Sequence, residues 1–362
     1  MTRGLQDSLA KGPPIDWPQV RRVLLVRLRS IGDTVLMTPC LQALKEWHPG
    51  VEIGVVTEAL AAPILEDHPL VGDLLVAGQS AASRLALLAQ LHRKRFDLAV
   101  NLHGGTTAMM LTALSGARHT VGYRGQRGSW LLNSRVPAPD VILGRKQVHS
   151  VEQQLALLRW VGVPSPPKLR LNIAMSAAAE ASVHARLISE GVSASALGSV
   201  KFAIVAPGAA FDSKRWSSRG FASVIDHLAG RWQLESLVIA GPGQEKVANE
   251  VAEAARSVAR VFSRISLAEL KALVGVFGRV FVGNDCGPMH IAAALGCPIV
   301  AVFGSSNPDV WHPWTETAYR VLGGGQDTPD SDVRDAIDRV GVDEVIAAID
   351  QVLESAAYRA TS

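Results

Sequence analysis

The sequence predicts an α/β protein built from two doubly wound domains. Short apolar segments such as Val23–Leu28 and Phe202–Ala206 are typical of strands buried on both faces, and helical stretches separate them. This alternation stops at a proline-rich stretch, residues 162–171, and then starts again. Two such halves predict a central cleft lined by the carboxyl ends of the strands, where open α/β sheets bind ligands.

Each predicted element rests on its own apolar pattern. The predicted strands are Val23–Leu28, Glu52–Val56, Leu98–Asn101, Thr120–Gly122, Phe202–Ala206, Leu237–Ala240, Arg279–Gly283 and Ile299–Phe303. Helices are predicted over Thr34–Trp47 and, as a closing amphipathic helix, over Val342–Glu354. We therefore expect an N-terminal extension (residues 1–20), an N-terminal domain (21–165), a linker (166–200), a C-terminal domain (201–330) and a C-terminal helical segment (331–362).

Composition and charge exclude several classes of protein. The chain has 362 residues and is 48% hydrophobic, which suits two large cores. The formal charge of +3 is a small excess, so any cationic binding surface must come from clustered residues, and no nucleic-acid partner is expected. The three cysteines have unrelated spacings, so neither a disulfide framework nor a zinc site is predicted, and a reducing cytoplasm is expected. No apolar run is long enough to span a membrane, although contact with a membrane surface stays possible.

Two turns that follow predicted strands carry candidate catalytic groups. Asp33 lies in VRLRSIGDTVLMTP (26–39), where it either caps a helix or acts as a general base. Lys214 and Arg215 lie in VAPGAAFDSKRW (205–216), and they are either solvated surface cations or contacts for an anionic diphosphate.

Two further turns carry candidate binding groups. Glu245 follows a Gly-Pro-Gly that lacks the third glycine of a dinucleotide fingerprint; it either binds a ribose or favours a helix start by its charge. The joint NDCGPMH (284–290) holds Asp285, Cys286, Gly287 and His290 at the start of a helix, an arrangement that suits an anion. Taken alone, Asp285 is equally explained as a cap and His290 as a partly buried core residue.

Several familiar catalytic patterns are missing from the sequence. It contains no phosphate loop of the G-x-x-x-x-G-K-[ST] type, no nucleophile elbow and no H-E-x-x-H zinc motif. The single D-x-D, Asp330 to Asp332, is interpreted as helix capping and not as a metal site.

Five segments in order resemble glycosyltransferase family 9, the ADP-heptose:lipopolysaccharide heptosyltransferases. They are RLRSIGDTVLMTPCLQALK, DLAVNLHGGTTAMMLTALSGARHTVGYRG, HSVEQQLALL, PGAAFDSKRWSSRGF and FVGNDCGPMHIAAALGCPIVAVFG. The resemblance runs from about Arg22 to Pro308. It implies the GT-B fold, an acceptor-binding N-terminal domain, a nucleotide-sugar-binding C-terminal domain, inversion at the anomeric carbon, and no metal or other cofactor.

The resemblance also implies roles for individual residues. Asp33 stands in the place of the catalytic base. Donor-binding positions correspond to Lys214, which holds the diphosphate, and to Glu245, Asp285, Cys286, Gly287 and His290. Candidate acceptor contacts are Arg29, His103, Arg124 and Arg127.

The chain also departs from the family pattern. Ala209 and Ala210 stand where many members carry hydroxyl side chains, Cys286 replaces Ser or Thr, and Arg29 replaces a Ser. A basic stretch from Arg118 to Lys146 contains one acid, Asp140. Such a stretch is either a solvated surface or, given the family, a site for an anionic lipid A-core acceptor.

We therefore expect a cytoplasmic enzyme, peripheral on the inner membrane, that transfers heptose from ADP-heptose to the lipopolysaccharide inner core. A transferase of the same fold that uses another nucleotide sugar is the nearest alternative. A non-catalytic sugar-nucleotide-binding homologue is the second, suggested by Ala209, Ala210 and Cys286. A nicotinamide oxidoreductase is a distant third.

Overall fold

The computed structural model describes residues 15–166, 168–325 and 337–361, with side chains to residue 356. The chain divides into two compact units, of which the first ends at Ala174 and the second begins at Met175. Residues 1–14 of the predicted extension and the pair Asp330 and Asp332 lie outside the described residues.

The first unit contains a six-stranded parallel sheet in the order β3-β2-β1-β4-β5-β6 among the described residues. Its strands are β1 (Arg22–Val26), β2 (Glu52–Glu58), β3 (Asp73–Ala77), β4 (Leu98–Asn101), β5 (His119–Tyr123) and β6 (Ser134–Val136). Its helices are α1 (Ile31–Leu36), α2 (Thr38–Trp47), α3 (Ala81–Lys94), α4 (Thr106–Ala113), α5 (Pro139–Leu143) and α6 (Ser150–Trp160). The strand order reverses between β1 and β4, which is where this class of sheet binds ligands.

The helix predicted over Thr34–Trp47 is wrong as a single element. The chain forms α1 and α2, which meet at Met37. Pro39 has no N–H for an α1 hydrogen bond and suits the first turn of a new helix, so it separates the two. As a result α1 begins at Ile31, and Asp33 lies inside its first turn.

The second unit repeats the same topology. Its parallel sheet has the order β12-β11-β10-β7-β8-β9 among the described residues, so the reversal falls between β7 and β10. Its strands are β7 (Phe202–Ala206), β8 (Ser236–Ile239), β9 (Ala259–Phe262), β10 (Gly278–Asn284), β11 (Ile299–Phe303) and β12 (Tyr319–Gly323). Its helices are α7 (Ala177–Ser189), α8 (Ser218–Trp232), α9 (Glu245–Ala254), α10 (Leu267–Ala272), α11 (Gly287–Ala294), α12 (Pro308–Trp311) and α13 (Val342–Thr361). The prediction of two Rossmann-like domains is confirmed.

Each sheet is stabilised by helices packed on it. In the first unit, Leu24 and Val26 of β1 are fully buried in one cluster with Leu91 and Phe96. In the second, Val205 of β7 is fully buried in a cluster that includes side chains of α8 and α13. Burying one such side chain contributes about 1.5–3 kcal/mol. These cores hold the strand ends, and therefore the turns after them, in fixed positions.

A carboxylate attaches α13 to α8. Asp350 accepts hydrogen bonds from His227 Nε2 at 2.8 Å and from Trp232 Nε1 at 2.7 Å. Burial by itself raises the pKa of Asp350, but the hydrogen bonds from His227 and Trp232 and the nearby positive charges outweigh it, so the pKa is lowered overall. The charged form is therefore the one that stabilises the fold.

Replacing Asp350 with Asn is expected to lower the free energy of unfolding by about 1–3 kcal/mol at neutral pH. The carboxyl pKa is about 3.9 in an unfolded chain and lower in the fold, so the stabilisation is present above about pH 4 and disappears as the pH falls through the folded value. Denaturant unfolding of both proteins at neutral and strongly acidic pH checks this. Glu354→Gln, at an exposed position of the same helix, is the control. An equal loss at both pH values would contradict the account.

Candidate functional site

In the first unit, a buried arginine follows the strand next to the reversal. Arg27 comes directly after β1 and is 6% exposed. Its guanidinium donates a hydrogen bond to the carbonyl of Leu102, beyond the end of β4, at 2.6 Å, and it forms an ion pair with Asp33. Arg27 therefore links the ends of β1 and β4 and holds the Asp33 carboxylate at the position where ligands bind in such sheets.

Asp33 is both a helix cap and an accessible carboxylate. It is the third residue of α1, and its second oxygen accepts hydrogen bonds from the backbone N–H of Ser30 at 3.1 Å and the Ser30 hydroxyl at 3.0 Å. Its side chain remains 19% exposed. Capping orients the carboxylate without removing it from solvent, so the two interpretations of Asp33 are compatible.

The sequence prediction missed Arg27. Its only signal in the sequence is a charged residue inside the otherwise apolar run VLLVRL, residues 23–28. A buried arginine needs a partner, since its charge cannot be neutralised within a protein. That partner was not identifiable until the end of β4 and the start of α1 were known to lie beside it.

His103 lies in the turn after β4, on the same edge of the sheet. The buried Asn101 side chain accepts hydrogen bonds from the backbone N–H groups of His103 and Gly104, each at 3.0 Å, and so fixes this turn. The pKa of His103 is lowered mainly by burial and further by the positive charges of Arg27 and Arg29, while the negative charge of Asp33 opposes this shift. A neutral imidazole, able to donate or accept a hydrogen bond, therefore lies within electrostatic reach of the carboxylate.

The other predicted acceptor contacts lie at this edge too. Arg29 adopts φ +42°, a left-handed conformation that costs a non-glycine residue about 1–2 kcal/mol, and its side chain is 78% exposed. Strain of this kind is concentrated at functional sites. Arg124 and Arg127 are exposed in the loop that follows β5.

In the second unit, a lysine and an aspartate pair across the corresponding reversal. Lys214, in the turn after β7, donates a hydrogen bond from Nζ to Asp285, directly after β10, at 2.8 Å. The hydroxyl of Ser306, in the turn after β11, donates to the same carboxylate oxygen. The Asp285 side chain is 9% exposed and that of Lys214 24%, so the ammonium is the more accessible partner. Lysine has three donors, which leaves capacity for an anion.

The turns around this pair pack closely. Buried Asn284 accepts a hydrogen bond from the Trp216 backbone N–H at 3.0 Å and donates to the carbonyl of Pro207 at 2.8 Å, so β10 holds both sides of the Lys214 turn. A methyl group at Gly304 would lie 2.1 Å from the carbonyl oxygen of Ser213, so glycine is required there. These contacts hold the backbone of the turn in place, and with it the position of Lys214.

The predicted residues of α11 differ in accessibility. The helix begins at Gly287, with Cys286 as its N-cap residue and Pro288 in the first turn. Burial raises the pKa of the Cys286 thiol to about 12, so the neutral thiol is the form present. His290 is buried, at 3% exposure. That burial favours a role in shaping the turn, and donor contact by His290 stays a prediction.

Glu245 is the first residue of α9, after β8, and is partly exposed. The neighbouring Gln244 donates to the carbonyl of Ala209 at 3.1 Å, and its side chain lies where a methyl group on Gly208 would be. Ala209 is buried and Ala210 exposed. The turns after β7, β8, β10 and β11 therefore lie along one edge of the second sheet.

Among the described residues no cluster of three or more His, Cys, Asp or Glu could hold a metal.

Known proteins resemble the chain in sequence and in fold. Residues 84–340 match glycosyltransferase family 9 (heptosyltransferase). Lipopolysaccharide heptosyltransferase 3 of Escherichia coli is 27% identical over 91% of this chain and 98% of its own length. The glycosyl transferase family 9 structure from Veillonella parvula superposes with a TM-score of 0.80 and 22% identity, over 92% of this chain and 97% of that one. The E. coli ADP-heptose LPS heptosyltransferase II structure gives 0.76 and 22%, over 93% and 99%.

The family match covers most of the chain, and the two parallel sheets agree with the fold of those structures. The chain belongs to glycosyltransferase family 9, the heptosyltransferases, and is a glycosyltransferase with the GT-B fold.

Proposed function

We propose that this enzyme transfers heptose from ADP-heptose to the lipopolysaccharide inner core with inversion at the anomeric carbon. Family membership and the similarity to lipopolysaccharide heptosyltransferase 3 support the reaction class. The observation that carries the proposal is the matched pair of strand reversals. An oriented carboxylate lies at one of them and an accessible lysine at the other.

Asp33 is the proposed general base. Inversion requires that a hydroxyl of the acceptor attack the anomeric carbon directly and lose its proton as it does so. A carboxylate within hydrogen-bond reach can take that proton. The ion pair with Arg27 and the hydrogen bonds from Ser30 fix the carboxylate, so little reorganisation is needed during the reaction.

Lys214 and the start of α11 are proposed to stabilise the departing diphosphate. Negative charge grows on the leaving group as the bond between the anomeric carbon and the diphosphate oxygen breaks. Fixed positive charge lowers the energy of that state. Asp285, a carboxylate, repels phosphate; its contacts suit it to orienting Lys214. The first N–H groups of α11 add partial positive charge. In this mechanism no metal is needed, because Lys214 and the N-terminus of α11 supply the positive charge that stabilises the diphosphate.

The acceptor is proposed to bind near the first unit's strand reversal. Arg27 and Arg29 are the cations beside Asp33 and neutral His103, and Arg29 also lies 3.9 Å from Glu58. Arg124 and Arg127 are exposed in the loop after β5, on the same edge of the sheet. This excess of positive charge suits a phosphorylated, anionic lipid core. None of the helices in the described part of the chain is both long and apolar enough to cross a bilayer. We propose that the enzyme meets its acceptor at the cytoplasmic face of the inner membrane.

The positioning role of Arg27 gives a prediction. Arg27→Lys keeps the charge but cannot reach both the Leu102 carbonyl and Asp33, so we expect kcat to fall by up to about 10²-fold through misplacement of the base. Donor affinity should not change, because the proposed donor residues belong to the other unit. Steady-state kinetics with donor titration separate these effects. Arg22→Lys, at the other end of β1, is the matched control. A parallel loss of donor affinity would contradict the positioning role.

The choice of nucleotide sugar has a specific alternative. Ala209, Ala210 and Cys286 remove hydroxyl groups from the turns around Lys214, which favours a transferase of this fold with a different donor as the second candidate. Calorimetric titration with ADP-heptose, UDP-sugars and GDP-sugars distinguishes the two. Tighter binding of ADP-heptose supports the proposal, and tighter binding of a UDP- or GDP-sugar supports the alternative.

A further inference from the structure

The first unit carries an exposed apolar patch that the proposed chemistry does not use. Met110 and Leu114 lie four residues apart on one face of α4 and the turn after it, and they are 53% and 46% exposed. Trp130 and Leu131 lie in the loop between β5 and β6 and are 74% and 40% exposed. We call these four residues the Trp130 patch.

The loop and α4 are neighbours in the fold. A short 3₁₀ turn, Ser129–Leu131, presents Trp130 and Leu131, and it packs beside α4. A methyl group at Gly128, just before the turn, would lie 3.2 Å from Cγ of Met109. The turn therefore packs on α4 next to buried Met109, and the two neighbouring elements each present a pair of exposed apolar side chains.

The surroundings of the Trp130 patch are basic. The sequence has no Asp or Glu between Asp97 and Asp140. Within that stretch lie four exposed arginines, Arg118, Arg124, Arg127 and Arg135. Arg124 and Arg127 belong to the same loop as Trp130. The carbonyl of Arg118 accepts a hydrogen bond from the Asn133 side chain at 2.8 Å, which brings Arg118 to the other end of that loop.

We propose that the Trp130 patch inserts into the interface of an anionic lipid bilayer, with the surrounding arginines on the lipid headgroups. Tryptophan is favoured at membrane interfaces, and arginines near an anionic surface add attraction, so the combination suits a bilayer. A protein partner would have to be strongly acidic to match this charge. The inference rests on the proposed lipid-linked acceptor for its biological role.

The same loop reaches the candidate site. A methyl group at Gly104 would lie 2.4 Å from Nε2 of Gln126, so the Gln126 side chain packs on the turn that carries His103. Docking through the loop would thus place the acceptor-binding edge of the sheet close to the lipid surface. The enzyme could then reach a sugar attached to a lipid that stays in the bilayer.

Vesicle binding tests the proposal without donor or acceptor, so its result is separate from that of the transfer assay. The purified protein is sedimented with vesicles of phosphatidylcholine alone and with vesicles of equal parts phosphatidylcholine and phosphatidylglycerol. We expect binding to the anionic vesicles that weakens with added salt. Trp130→Ser should weaken it roughly tenfold or more, and Arg127→Ala about fivefold. Trp47→Ser, at another exposed tryptophan of this unit, should bind as the wild type does.

Brominated lipids give a second readout that does not depend on affinity. Insertion predicts quenching of tryptophan fluorescence that is lost in Trp130→Phe and retained in Trp47→Phe. Full vesicle affinity in Trp130→Ser would overturn the proposal. The proposal would also be overturned if the protein did not bind anionic vesicles and instead formed a dimer that Trp130→Ser dissociates. The Trp130 patch would then be covered by a second copy of the chain.

Discussion

Asp33→Asn is expected to lower kcat for heptosyl transfer about 10²–10⁴-fold, which is the usual contribution of a general base. The amide keeps the shape of the side chain and can still accept a hydrogen bond from the Ser30 backbone N–H, so α1 should keep its start. It cannot take a proton from the acceptor. Donor affinity should stay unchanged. Rates with saturating acceptor, together with donor titration, measure both effects.

The control for Asp33→Asn is another acidic residue in the same type of cap. Glu269 is the third residue of α10 and accepts hydrogen bonds from the backbone and hydroxyl of Ser266, as Asp33 does from Ser30. Glu269→Gln should cost stability but leave kcat near the wild-type value. Wild-type turnover in Asp33→Asn would show that Asp33 is a cap and no base.

Lys214→Met is expected to reduce kcat/KM about 10²–10³-fold, because it removes a fixed charge from the developing diphosphate. Unlike Asp33→Asn, it should also weaken ADP binding, since the product carries the same diphosphate. Calorimetry with ADP and steady-state kinetics test the two effects. Lys246→Met removes an 89% exposed lysine from α9 and is the matched control.

Removal of Lys214 also leaves the nearly buried Asp285 carboxylate without its cation, which destabilises the fold. The double variant Lys214→Met/Asp285→Asn removes both charges and should recover stability. It should not recover transfer. If the double variant regained wild-type transfer, the defect of the single variant would come from the unpaired carboxylate and not from loss of a phosphate contact.

The sequence allowed the inner strands of both sheets to be predicted, but not the outer strands. All eight predicted strands are present, and four further strands, β3, β6, β9 and β12, were not predicted. Those four are the outer strands of the two sheets in the described part of the chain. An interior strand of a parallel sheet is covered on both faces and is apolar throughout, as β7 is. An outer strand is partly exposed, as β12 is, so its pattern contains polar residues and resembles a loop.

The candidate site was predictable to a similar degree. Lys214 and Asp285 lie in turns after strands, and Asp33 lies in the first turn of the helix after β1, each close to where the motifs indicated it. Arg27 and Ser306 were missed, because each bonds to a group that follows a different strand: Arg27 to the carbonyl of Leu102 and Ser306 to Asp285. Sequence patterns report which residue types are present near a strand end. The strand order, known only from the fold, determines which of these turns are neighbours.

The central claim is tested most directly by incubating the purified enzyme with ADP-heptose and a heptose-deficient lipid A-core acceptor. Product is then followed by mass spectrometry and by NMR of the new glycosidic bond. We expect an acceptor that gains one heptose, release of ADP in equal amount, and an anomeric configuration opposite to that of the donor. Transfer with retained configuration would contradict the proposed mechanism with Asp33 as base. The absence of any heptose transfer or donor hydrolysis from a donor-bound enzyme would contradict the proposed function itself.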